Sequence, residues 1–264
     1  MADSTETRKE RRATARAEQR ATEAAQARRR QRLWILGGAL ALAAVIVVVI
    51  ALAAGGSDKA TLKRGEVVPG QTEATALFAG VRQNGITLGD PRAPVTFIEF
   101  ADLQCPFCRE YTTKVMTTLV NQYVRTGKMQ MTFRNVSFIG TDSARAAQMA
   151  AAASLQSKLW PFIDTFYANQ RTENTGYVTD DFLRRIGNGV KGLDVSKAMN
   201  DRGLPAVQRL MDEAQTQWQT NGFTGTPSFL LGPTGGRLEA LSFTSFDPSS
   251  FTSAIDKVLA SARR

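Results

Sequence analysis

The chain has 264 residues, of which 43% are apolar, and a net charge of +9 with no histidine. That length suits one globular domain with an appendage, and the missing histidine excludes a Ser-His-Asp triad, a Cys-His dyad and any histidine-based metal site. The basic excess is lopsided: residues 1–32 hold ten Arg/Lys against five Asp/Glu, and the remainder is nearly balanced at 23 against 19, so no nucleic-acid-binding domain with basic residues interleaved among aromatics is indicated.

Residues 1–32, rich in Ala, Arg, Glu and Gln, read as a cytoplasmic basic tail. Residues 33–54 form a run of 22 residues without a charge. As a helix it spans ~33 Å, enough for a hydrocarbon core of ~30 Å. Arg28, Arg29, Arg30 and Arg32 abut its start, and Trp34 stands where an interfacial anchor belongs. The positive-inside rule then places the N-terminus in the cytoplasm and everything after Ala54 outside. The rival reading is a cleaved signal peptide, because Ala51-Leu52-Ala53 fits a small-x-small cleavage site. The run exceeds the usual apolar segment of ~7–15 residues, which favours a retained single-pass anchor in a bacterial cell membrane. Residues 55–75, polar with glycines and one proline, read as a linker.

The folded domain is expected over 76–264. Val95–Phe100 (VTFIEF) is an apolar, β-rich run with one acid, which predicts a central strand buried on both faces. Cys105-Pro106-Phe107-Cys108 follows and opens a helix along which Tyr111, Val115, Leu119 and Tyr123 recur at helical spacing. Lys128–Arg134 alternates, with Met129, Met131 and Phe133 on one face, as in a half-buried strand. From about 141 to 220 the chain reads helical throughout, with Asp142 or Ser143 as a cap and a stripe of Val207, Leu210, Met211, Ala214 and Trp218. Trp160, Phe162, Phe166 and Trp218 read as core. Ser228–Leu231 and Arg237–Phe243 look like two strands around a Gly-Pro-Thr-Gly-Gly turn. The last helix starts with Asp247 as cap and Pro248 at its first position, and buries Phe251, Ile255, Val258 and Leu259.

Cys105 and Cys108 are the only cysteines. A disulfide between them would close too short a loop to constrain the unfolded chain much, so the pair is a redox group before it is a staple. Two other readings stand beside that one. A zinc half-site would need carboxylates or a second chain to complete four ligands. An inert structural pair would resist mild reductant while the domain stays folded. Glu99, inside the apolar strand, must be protonated or hydrated unless the strand is an edge that turns it to water.

Three features together resemble the DsbA-type thiol-disulfide oxidoreductases of the thioredoxin superfamily. They are the Cys-x-x-Cys pair at a strand–helix junction, Glu99 six residues before Cys105, and Gly225-Thr226-Pro227 before a strand. The likeness runs through 86–108 and 222–231. It implies a thioredoxin-like α/β fold with a helical insertion, about 141–220, between the third strand and the cis-proline strand, preceded by the single transmembrane helix. It implies Cys105 as the attacking thiol, Cys108 as the resolving thiol, and Glu99 as a proton relay. Thr226, before a cis Pro227, would offer backbone hydrogen bonds to the substrate. Phe107 replaces the histidine of the family's best-known motif, so Cys105 should be less acidified than in the strongest oxidants.

The resemblance implies no bound cofactor beyond the cysteine pair itself, and protein substrates with cysteine thiols. It also implies a quinone-linked membrane reoxidase of the DsbB or vitamin-K-epoxide-reductase kind. Monomeric, extracytoplasmic disulfide formation is the expected activity. A reductase or isomerase, for instance in cytochrome maturation, is the alternative within the same chemistry; an anchored chaperone with an inert disulfide is the alternative outside it.

Overall fold

The computed structural model describes residues 67–262. The basic tail, the apolar run 33–54 and most of the linker lie outside the described residues. Among the described residues no helix is long and apolar enough to cross a membrane.

These residues form one sheet of six strands in the order β1-β2-β4-β3-β5-β6. The short hairpin β1 (Gln83–Asn84) and β2 (Thr87–Leu88) lies at one edge. The centre is β3 (Val95–Ala101), paired in parallel with β4 (Met129–Asn135) and antiparallel with β5 (Ser228–Pro233). β6 (Glu239–Ala240) closes the other edge. The apolar run therefore makes a strand with neighbours on both sides, and Glu99 faces Phe133 and Phe229 in register.

Helix α1 (Gln71–Phe78) precedes the sheet. Helix α2 runs from 106 to 124 as the crossover between β3 and β4, with π-helical turns at Thr112–Met116 and Val120–Val124. The insertion comprises α3 (Thr141–Ser154), α4 (Leu159–Ala168), α5 (Asp180–Asn188), α6 (Val195–Asp201) and α7 (Pro205–Thr220). α8 (Pro248–Ala262) ends the described chain.

One face of β3 carries Phe97 and Glu99 against α2 and α8. There Tyr111, Phe229 and Phe251 pack with ring centroids 4.7–5.3 Å apart, close enough for favourable tilted contacts. The other face carries Ile98 and Phe100 against α7, where Ala214 is buried and Trp218 half-buried. Trp160, Phe162 and Phe166 are core, as expected.

Four sequence expectations are corrected. The fold starts before Ala76: Val68 is buried and α1 occupies 71–78. This helix buries only Ala74 and Phe78, too few positions to show a period. The block 141–220 is broken at 169–179, where Asn174 and Gly176 take positive φ, in a stretch of turn-forming Thr, Asn and Gly. Asp142 and Ser143 do not cap α3, which begins at Thr141 after Gly140. The Asp142 carboxylate instead accepts from the Gly176 amide at 2.8 Å and pins that loop. Finally, only Glu239–Ala240 of the segment 237–243 pairs as strand. Phe243 instead stacks on Phe246 and packs on Phe229 and Phe251, so aromatic burial overrides the strand pattern.

Candidate active site

β3 ends at Ala101 and the chain turns through Asp102–Gln104, with the Cys105 amide donating to the Asp102 carbonyl at 3.0 Å. Cys105 is the N-cap of α2, in extended backbone, and Pro106 takes the first helical position, where a missing N–H costs nothing. Cys108 lies one turn inward. Both cysteines are free thiols here; Cys105 is 5% exposed and Cys108 fully buried. The Thr226–Pro227 peptide bond is cis. Its Thr226 carbonyl accepts from Cys105 Sγ at 3.3 Å. The structure thus brings Cys105, Cys108, Thr226 and Pro227 together.

Electrostatics separates the two sulfurs. Cys105 is lowered from 9.0 to about 6. The thiol of Cys108 contributes most, by a hydrogen bond to the thiolate; the amides of Cys108 and Phe107 add to it, and partial burial opposes them. Cys108 is pushed well above 9.0, first by burial and then by its neighbour Cys105. One sulfur is built to ionise at neutral pH and the other to stay protonated.

Glu99 is fully buried, and neither carboxylate oxygen has a hydrogen-bond partner among the described residues. Burial raises it from 4.5 to about 8, so it is neutral at pH 7. Its charge, when present, raises Cys108, Tyr111 and Tyr167, which places it in the same buried electrostatic neighbourhood as the resolving thiol.

Beside the cysteines lies an open groove of about 860 Å³, lined among others by Phe107, Lys114, Thr226, Pro227, Phe243 and Phe246. Phe107 is 59% exposed at its rim. The two later phenylalanines were not distinguishable from core by sequence reasoning. The signal available was their place just ahead of the Asp247-Pro248 helix start, in a segment that has to return to the end of the sheet bearing the cysteines. Asp102 was also missed. It is buried and accepts from the amides of Gln104 at 2.8 Å, Phe138 at 3.1 Å and Ile139 at 3.3 Å, tying the cysteine turn to the segment after β4. Among the described residues no three His, Cys, Asp or Glu side chains gather as a metal site.

A family model described as thioredoxin matches residues 82–257. The probable disulfide bond formation protein D of Bacillus cereus is 31% identical over 176 residues, covering 66% of this chain and 78% of that protein. Disulfide bond formation protein D of Bacillus subtilis is 28% identical over 102 residues, 36% of this chain and 44% of that one. Among solved structures, oxidised BdbD from Bacillus subtilis superposes with a TM-score of 0.58 at 19% identity, covering 68% of this chain and 97% of that chain. Alpha-DsbA1 of Wolbachia pipientis gives 0.56 at 21% identity, over 67% and 92% of the two chains. At those identities the two solved structures establish the fold alone.

Proposed function

The chain belongs to the thioredoxin family, among its DsbA-like disulfide oxidoreductases, and from that premise we propose that it forms disulfides in extracytoplasmic proteins through Cys105 and Cys108. The observation that carries the reading is the asymmetry of the two sulfurs. A thiolate at Cys105 stabilises the reduced pair relative to the disulfide, which makes the disulfide the stronger oxidant and favours the oxidase direction over the reductase.

In the forward reaction a substrate thiolate attacks Cys105 Sγ of the Cys105–Cys108 disulfide. The S–S bond breaks, Cys108 leaves with the electron pair, and a substrate–Cys105 mixed disulfide forms. The buried Cys108 thiolate needs a proton, and neutral Glu99 is the acid held in its neighbourhood. A second substrate thiolate then attacks the substrate sulfur of the mixed disulfide. The substrate disulfide forms and Cys105 leaves as a thiolate that the α2 amides and Cys108 already stabilise. Two electrons have passed to the pair. The Thr226 carbonyl and the groove floor at Pro227 would seat the extended substrate as a short added strand.

The apolar run 33–54 with arginines before it supports a single-pass anchor with the catalytic domain outside the cell membrane. From there a quinone-linked membrane reoxidase of the DsbB or vitamin-K-epoxide-reductase kind would restore the disulfide. The test uses the oxidised full chain and a reduced, unfolded protein substrate. Cys105→Ser should abolish substrate oxidation; Cys108→Ala, which cannot carry the disulfide, should not oxidise the reduced substrate either, but its Cys105 thiolate should attack a disulfide-bearing substrate, release one substrate thiol and stay trapped as the mixed disulfide. Undiminished turnover by Cys105→Ser would end this reading.

A further inference from the structure

The cysteine turn is held by side chains of the helical insertion. Gln170 lies just beyond α4. Its Nε2 donates to the Leu103 carbonyl at 2.8 Å and to the Cys105 carbonyl at 3.0 Å. A side-chain amide nitrogen carries two hydrogens, so one group engages the turn on both sides of Gln104. The Cys105 carbonyl also accepts the Arg109 amide, at 3.3 Å, as the first bond of α2. Gln170 is therefore the nearer of these two donors to that oxygen. Gln104 is fixed in turn: its Nε2 donates to the Tyr177 hydroxyl at 2.7 Å and its Oε1 accepts the Asn174 amide at 2.9 Å. The Tyr167 hydroxyl donates to the Asp102 carbonyl at 3.3 Å.

We infer that Gln170 is a positioning residue for Cys105, by which the helical insertion sets how oxidising the cysteine pair is. The inference rests on the thiol chemistry proposed for Cys105. Pro106 has no N–H, so the thiolate draws its backbone donors from the amides of Phe107 and Cys108. These two amides follow the Cys105–Pro106 peptide plane through the ring-fixed φ of Pro106, and that plane is held at its carbonyl oxygen by Gln170 at 3.0 Å together with the Arg109 amide at 3.3 Å. The positive end of the Gln170 amide dipole also lies against the Cys105 carbonyl and offsets its partial negative charge beside the sulfur. Both effects favour the thiolate, which exists only in the reduced protein. A residue that merely braced the fold would stabilise the oxidised and reduced forms alike.

Gln170→Met in the full chain keeps the length of the side chain and removes both donors. The Cys105 thiolate titration, followed by its ultraviolet absorbance, is expected to move up by about one pH unit. Starting from about 6, such a move lowers the thiolate stabilisation at pH 7 about fivefold. The equilibrium with glutathione shifts by the same factor, ~20 mV toward a less oxidising pair. Gln170→Asn, one methylene shorter, can keep at most one of the two bonds and should fall between; it decides the matter if the Met variant does not fold. Equal losses of unfolding midpoint in both redox forms, with titration and glutathione equilibrium unmoved, would overturn the inference. That failure would leave the oxidase reading standing so long as Cys105→Ser is inactive.

Discussion

A carboxyl group whose two oxygens have no partner in the middle strand of a sheet is stable there only while it is neutral. Glu99 meets that condition because burial raises it from 4.5 to about 8. The unfolded chain gives up this proton near 4.5 and the native chain near 8. Between those values the native state binds more protons, so Glu99 makes stability fall as pH rises. Glu99→Gln removes the titration. Its stability relative to the parent should increase with pH across this window by up to about 1.4 kcal/mol per unit. Urea unfolding at pH 5 and pH 8 measures it; parallel pH profiles for parent and variant would show that folding leaves the Glu99 ionisation unshifted. The same variant should slow substrate oxidation at pH 7, since the buried Cys108 thiolate loses its acid. With Phe107 in place of the family's histidine, the sequence suggested a thiol still acidified but less than in the strongest oxidants; in the folded chain Cys105 falls to about 6, on the Cys108 thiol and the helix amides. Of these, only the amides are legible as helix position; the Cys108 contact depends on how close the folded chain brings the two sulfurs.

At the level of elements, the N-terminus of α2 and the burial of its first turn together assign the roles of the two sulfurs. Alkylation of the reduced full chain should follow a single ionisation with a midpoint near 6, the value set for Cys105. Cys108 should stay unmodified across neutral pH, because its thiol is buried and pushed well above 9.0. Mass spectrometry of the alkylated peptide decides it, and a second label on Cys108 at neutral pH would contradict the assignment. β4, α2 and α8 were legible because each buries one face along its length and so writes a period of two or near four into the sequence. β3 is plain because it is apolar on both faces, and α8 because Asp247 accepts from the Ser249 amide at 2.8 Å as a true cap. The elements that were misjudged are held from elsewhere. Asp142 looks like a cap but serves the distant loop at Gly176. Arg237–Phe243 looks like a strand after a turn, but its aromatic end is claimed by Tyr111, Phe229 and Phe251 through the ring at Phe243 and its neighbour Phe246. Such long-range partners leave no local pattern.

At the scale of the whole domain, three distant pieces of chain meet at one end of the sheet. They are the turn after β3, the cis-proline segment before β5, and the 243–248 segment before α8. The first two carry the chemistry and announced themselves by motif. The third supplies apolar surface beside it and did not. That division predicts separable effects on catalysis. Phe246 packs on Phe243 at 5.3 Å between ring centroids and reaches Tyr111 at 6.3 Å, while part of its ring lines the groove. Its ring carries no charge and no hydrogen-bonding group with which to shift the Cys105 ionisation. Phe246→Ala should therefore leave exchange with small thiols within about twofold of the parent. Against a reduced unfolded protein the lost apolar contact, ~1–2 kcal/mol for a partly buried ring, should raise KM about five- to thirtyfold with kcat little changed. Steady-state oxidation of the two substrate classes side by side separates the outcomes. An equal loss on both would mean that the 243–248 segment acts through the cysteines, and no loss on the protein substrate would remove it from the binding surface.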